Sequence, residues 1–278
     1  YEDGKPDGLP ADQEMPYIVA IPTTAGTGSE VGRSSVVSDD ETHAKKIIFT
    51  PRMLPSVVLA DPELTLGLPA GTTAATGFDA LTHLMEAYLA KGWHPLCDGI
   101  ALQGIGLVAN HLAICVRYAK RVAAGDPFTA AEEAEHLAAR HAMLDASMMG
   151  ATAFQKGLGV NHSCAHALST VCDMHHGLAN AVMLEAAMEF NFYATQDRFL
   201  AMARAVEPTA SKGESFVDWF VALRGECGLP AGLKSAGVDP KHIDDLVAVA
   251  LADGCHPCNP IPVTAKDFHA IFTEAFKS

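Results

Sequence analysis

The hydrophobic period of this chain changes once, near Leu68, and that change restricts the fold more than any other feature of the sequence. Beyond it Ala, Leu and Met recur at helical spacing, as in LPAGTTAATGFDALTHLMEAYLAKG, AEEAEHLAARHAMLDASMMGATAF and LANAVMLEAAMEFNFYA. The pattern breaks at GWHP, AAGDPF, EPTASKGES, CGLPAGL and GCHPCNPIP, whose Gly and Pro mark connections between helices. Before Leu68 the chain reads as strands and turns: YIVAIPTT has a buried-strand pattern, SSVV and KKIIF are short β-prone runs, and SVVLADPEL leaves a strand into a turn. The expected organisation is an α/β portion over residues 1–68 followed by an all-α domain over residues 69–278. So few β segments are too few for a complete α/β layer, and the chain opens without Met, so an N-terminal portion is expected to be lacking. There is no internal repeat and no low-complexity tract.

With 278 residues, 49% of them hydrophobic, the chain can bury a sizeable core. A formal charge of −14 argues against nucleic acid or an anionic membrane as partner, since either calls for a basic face. No uninterrupted apolar run reaches the roughly 18 to 20 residues of a membrane span. The opening YEDGKPDGLPADQEMP is acidic and unlike a signal peptide, which suggests a cytoplasmic protein. The seven cysteines are an odd set without regular dense spacing, as expected for reduced thiols. Cys255 and Cys258 form a lone C-x-x-C, with neither a second pair nor a redox-domain pattern around it.

Four of the 13 histidines, His162, His166, His175 and His176, fall within the 24 residues GVNHSCAHALSTVCDMHHGLANAV. His162 and His166 share a helical face, and His176 follows after a short turn, at the start of the next helical run. Upstream, GFDALTHLMEAY places Asp79 and His83 four apart on one face in the same way. Each histidine alone reads more readily as an ordinary polar residue on a helix. Together they offer nitrogen and carboxylate ligands from facing helices, which is how helical bundles build metal sites. Neutral imidazoles with one carboxylate suit iron, zinc or a similar divalent ion, and the shortage of further carboxylates argues against calcium.

IPTTAGTGSEVG follows a strand and is rich in Thr, Gly and Ser. Small residues let backbone N–H groups approach an anion or a cofactor ring, and the hydroxyls add hydrogen bonds. The stretch fits neither the P-loop nor the G-x-G-x-x-G dinucleotide pattern, so from its spacing a tight structural turn and a cofactor loop are both open readings.

Taken in order, PTTAGTGSEV, DPELTLGLP, ATGFDALTHLMEAY, GLGVNHSCAH and HHGLANAV resemble the iron-containing (group III) alcohol dehydrogenase family, from about Met15 to NPIPVT near the C-terminus. The resemblance implies a dinucleotide-binding α/β domain, an all-helical domain, and a divalent metal in the cleft between them. Carried over residue by residue, it makes Asp79, His83, His162 and His176 the four metal ligands and His166 the catalytic group that relays the proton. Thr23, Thr24, Thr27 and Ser29 match the loop along the nicotinamide and its ribose, Lys45 matches a lysine that reaches the ribose, and Phe154 is expected at the substrate pocket. The implied activity interconverts an alcohol and an aldehyde or ketone with NAD(H) or NADP(H), using ferrous iron (Fe2+) or zinc (Zn2+). Relatives are commonly dimers or larger, so a homo-oligomer is expected.

Two departures from the family pattern stand out. The glycine-rich pyrophosphate loop has no counterpart, so residues 1–68 are expected to be only the C-terminal part of the cofactor domain, its first part lacking. Many relatives have Pro where this chain has His175, which is expected at the surface or behind the ligands. Three other readings compete. One is a zinc-dependent enzyme like glycerol dehydrogenase or dehydroquinate synthase, with a smaller ligand set. Another is a metal-binding helical module without redox activity because the upstream cofactor half is missing. The last is a metallohydrolase with Glu30 or Glu86 as its base.

Overall fold

The computed structural model describes residues 1, 8–10, 12–38, 40 and 45–277, with the side chains of residues 38 and 45 outside the description. Up to Leu68 the described residues form four short strands joined by loops and 3-10 turns. β1 (Val19–Ala20) pairs in parallel with β4 (Val57–Val58), with Val19 opposite Val57. Between them β2 (Ser34–Ser38) and β3 (Lys45–Phe49) form an antiparallel ladder that sets Ser34 opposite Phe49 and Ser38 opposite Lys45. All four lie in the runs read as β-prone, but YIVAIPTT contributes only two paired residues. Its partner β4 is equally short, and the chain turns away at Pro22 into the Thr/Gly loop.

From Ala70 the chain is helical. α1 (Ala70–Leu89) forms the axis: every residue from Thr73 to Ala90 except Thr76 is buried, as expected for a helix that is apolar or small on all sides. α2 (Pro95–Ala124) and α3 (Ala130–Ala153) pack along it. The α1–α2 contact is close because each helix offers a glycine to the other's leucine. A Cβ on Gly77 would lie 2.2 Å from Leu112, and one on Gly104 would lie 2.4 Å from Leu84. His94 accepts from the Cys97 N–H at the start of α2, Gly125 closes it at φ 72°, and a Thr129–Glu132 capping box opens α3.

α4 (Val160–Cys172), α5 (His176–Phe192), α6 (Gln196–Val206), α7 (Glu214–Cys227), α8 (Ile243–Ala252) and α9 (Ala265–Ala275) complete the domain. One core joins α1, α2 and α3 with α6 and α7, and a second joins α4 with α8 and α9. α5 serves both cores, giving Leu184 and Met188 to the first and Val182 and Met183 to the second. α2 is long and apolar enough to cross a membrane by length and composition alone. It instead packs Ile105, Val108, Leu112 and Val116 into the first core and exposes Asn110 and Arg117, the pattern of a core helix.

α3 is tied to the start of α1 by a buried polar pair. Arg140 Nε donates to His136 Nε2 (3.1 Å), its Nη1 donates to Thr73 Oγ1 (3.0 Å), and the His136 ring stacks on Tyr118 at 5.0 Å. Burial first, and the Arg140 charge second, push the His136 pKa down to about 4. In the unfolded chain an imidazole titrates near ~6.5, so between these values the folded state binds fewer protons than the unfolded one. Stability is therefore expected to fall as pH drops from about 6.5 to about 4 and to lose nothing further from this group below that. His136→Gln should flatten that part of a plot of Tm against pH; an unchanged slope would place the acid sensitivity elsewhere.

Candidate metal centre

Three helices converge on one point. α1 carries Asp79, His83 and Glu86 on one face, at steps of four and three residues. α4 begins there with His162 in its first turn, and α5 begins there with His176, after the short turn Asp173–His175. α4 has no cap of its own: the Gly159 side of its N-terminus is closed by other elements. Glu86 accepts the N–H of Asn161 (2.6 Å) and of His162 (3.3 Å), and Asn259 Oδ1 accepts that of Val160 (3.2 Å). The Glu86 carboxyl oxygens thus take up open donors of a helix start.

Asp79 Oδ1 lies 3.4 Å from His176 Nε2, 3.9 Å from His162 Nε2 and 3.8 Å from His83 Nδ1. One ligand atom each from Asp79, His162 and His176 lies within 4.8 Å of the other two. His83 stands beside this group, its ring 4.5 Å from that of His162, but outside the tightest set. Asp79 is held by Asn180 Nδ2, which donates to its Oδ1 (2.8 Å), and Asn180 is held in turn by Asn161 Nδ2 (2.9 Å). Thr27 Oγ1 donates to Asp79 Oδ2 (3.4 Å) from the other side.

The group suits a divalent cation. Nitrogen and oxygen ligands about 2.0–2.1 Å from a tetrahedral ion lie about 3.3–3.4 Å apart, close to the Asp79–His176 separation. Burial, with the neighbouring histidines adding to it, holds His162 well below its usual range, and burial lowers His83 too, so both are neutral imidazoles, the ligand form. His162 Nδ1 is engaged by Glu86 Oε2 at 2.6 Å, and the buried His162 Nε2, facing Asp79, has no hydrogen-bond partner among the described residues. Burial pushes the Glu86 carboxyl up to about 8, against the backbone N–H groups of Asn161, Gly159 and His162. Glu86 is thus engaged on every side, which removes it as the free base a metallohydrolase would need. Glu30, the other candidate base, is buried in a 3-10 turn (Ser29–Val31) that packs on α3.

The Thr/Gly loop is seated on the helical domain by Gly28, at φ 65°, where a Cβ would lie 2.3 Å from the Ser147 carbonyl oxygen on α3. Thr23, Thr24, Thr27 and Ser29 are exposed along this loop. Lys45 opens β3, and its side chain lies outside the described residues. Phe154 places its ring 5.0 Å from that of His83. His166 stacks on His176 at 5.2 Å, while His175 is exposed. Cys255 and Cys258 are free thiols, the first just ahead of a 3-10 turn (His256–Cys258) and the second its last residue. Sequence reading gave no site role to Asn180, Asn161 or Asp253 and considered Glu86 only as a hydrolytic base. Glu86 had a readable signal, its position seven residues after Asp79 on the same face; the others come from contacts distant in sequence.

Residues 73–276 match the C-terminal domain of the Fe-containing alcohol dehydrogenase family, and residues 2–62 match the iron-containing alcohol dehydrogenase domain. A 4-hydroxybutyrate dehydrogenase of Cupriavidus necator is 38% identical over 270 residues, 93% of this chain and 65% of the relative. An NAD-dependent methanol dehydrogenase of Bacillus methanolicus is 35% identical over 265 residues, 93% of this chain and 66% of the relative. The crystal structure of a 1,3-propanediol oxidoreductase superposes with a TM-score of 0.86 at 36% identity, covering 95% of this chain and 67% of its own. The chain thus spans about 65% of the length of the curated relatives it matches. The match over residues 2–62 corrects the expectation that the first part of the cofactor domain is lacking: both domains of the family are represented. That expectation leaned on the small number of β segments, the opening without Met and one glycine-rich loop, whereas the match extends across the loops and strands before the helices.

Proposed function

The chain belongs to the iron-containing alcohol dehydrogenase family, and on that premise we propose that it interconverts an alcohol and its aldehyde or ketone with NAD(H) or NADP(H). The observation that carries this reading is the convergence of Asp79, His162 and His176, with an unpartnered His162 Nε2 among them, against a Thr/Gly loop whose Thr27 reaches the same Asp79. Asp79, His83, His162 and His176 would hold the cation, which supplies Lewis-acid polarisation of the substrate oxygen. In oxidation a bound nicotinamide would supply the hydride acceptor, and the proton released by the alcohol would leave through His166, whose side chain is partly open to solvent. Asn180 and Glu86 keep Asp79 and His162 in register for binding. Thr23, Thr24, Thr27, Ser29 and Lys45 are assigned to the cofactor, and Phe154 to the substrate wall. The boundary between the cofactor and helical domains is put at Leu68.

A zinc enzyme of the glycerol dehydrogenase type is the second reading, favoured by one observation: His83 lies outside the tightest ligand group, which leaves three ligands. A homo-oligomer, dimer or larger, fits the exposed apolar side chains of the N-terminal strands, among them Val36 at 58% and Val37 at 47% exposure. A cytoplasmic setting fits seven free thiols.

The test is to load the purified protein anaerobically with ferrous iron or with zinc and to follow NAD+ and NADP+ reduction across short alcohols, diols and hydroxy acids. Metal-dependent turnover with at least one substrate class is expected. Metal-loaded protein inactive with every combination, and in the reverse direction with the aldehydes, would overturn the reading.

A further inference from the structure

We propose that Asp253, at the end of α8, is the positioning residue of the proton relay, holding His166 with its Nδ1–H toward the carboxylate and its Nε2 as the proton acceptor. This inference rests on the dehydrogenase reading for its catalytic meaning. Its geometry stands independently. Asp253 Oδ2 lies 2.7 Å from His166 Nδ1, and Oδ1 accepts from Ser163 Oγ (2.7 Å) and from the Cys255 N–H (2.8 Å). Ser163 Oγ in turn accepts the His256 N–H (3.0 Å), so the segment after α8 is fastened to α4 on the face that carries His166.

An ionised carboxylate only accepts hydrogen bonds, so the His166 nitrogen facing it must be the donor. Burial alone would favour the neutral acid, but the donors from His166, Ser163 and Cys255 outweigh it and hold Asp253 well below the usual carboxylate range. With Nδ1 occupied, Nε2 is the nitrogen left to receive a proton, and the ring that carries it stacks on His176. A carboxylate that fixes the tautomer and the ring plane of a catalytic imidazole is a general device. Asp253 thus acts through His166 and touches no reacting atom. The site completes itself only when α8, distant in the chain, docks on α4.

The pairing is read directly from two-bond 1H–15N spectra of 15N-histidine-labelled protein with zinc bound, the His166 signals being assigned by their loss in His166→Ala. Wild type is expected to show a protonated Nδ1 and an unprotonated Nε2, and Asp253→Asn to shift the population toward protonated Nε2. In turnover, Asp253→Asn should lower kcat by ~10- to 100-fold with KM and metal content little changed. In a His166→Ala background it should have no further effect. A protonated Nε2 in wild type, an unaltered pattern in Asp253→Asn, or additive losses in the double variant would each overturn the proposal. Wild-type protein with bound metal and the expected tautomer but no NAD(P)-linked turnover would overturn the dehydrogenase reading while supporting the Asp253–His166 pairing.

Discussion

Asp79→Ala is expected to purify folded and without metal, against about one iron or zinc per chain in wild type. Asp79 contributes the one oxygen of the tightest group, and its carboxylate faces imidazoles that burial keeps neutral at His83 and His162. Removing it takes away both the proposed oxygen ligand and the negative charge that would offset a divalent ion. The structural cost is small by comparison. The side chain's hydrogen bonds go to Asn180 and Thr27, and Ala suits the middle of α1 better than Asp does. Elemental analysis should show metal at background, circular dichroism should match metal-free wild type, and NAD(P)-linked turnover should fall by ~100-fold or more, because Lewis-acid polarisation contributes several kcal/mol. Full metal occupancy in this variant would refute the ligand assignment.

Gly177→Ala is expected to damage the same centre without touching a ligand. Gly177 is the second residue of α5 and lies against α1, where an added Cβ would sit 2.3 Å from the Ala75 carbonyl oxygen. Backbone on the other side cannot rotate away, so α5 must shift and carry His176 off Asp79, now 3.4 Å distant. Overpacking of this kind costs about 1–3 kcal/mol, and metal affinity should fall with it. Gly71→Ala is the matched control: Gly71 sits in the first turn of α1 with none of the described residues within 4 Å of an added Cβ. It should raise stability by about 0.4–1 kcal/mol and leave metal binding alone. Equal Tm and metal content in the two variants would show that the α1–α5 approach does not set the site.

Much of this arrangement was readable before any coordinates, and unevenly. The five breaks in the helical pattern coincide with joints between helices, four of them overlapping a helix end by one or two residues, from GWHP at the start of α2 to GCHPCNPIP ahead of α9. Asp79 with His83, and His162 with His166, share faces because the 3.6-residue period is a local property of the chain. Resemblance named His176 ahead of its neighbour, and the structure sets His176 Nε2 beside Asp79 while leaving His175 exposed. The strand pairings were not readable, since runs as short as SSVV and KKIIF carry no record of their partners. Nor could spacing show that His83 stands slightly apart from the other three candidates.

What the sequence determined by itself is therefore local: which segments are helical, where they stop, and which chemistry-bearing side chains share a helical face. The tertiary structure decided which faces meet. Glu86 lies beneath the start of α4, 76 positions from His162, and Asp253 lies against His166, 87 positions away. Gly177 admits α5 to within contact of the α1 backbone. Those choices depend on packing volume and on satisfying buried donors across the whole domain, and neither has a period along the chain from which it could be read.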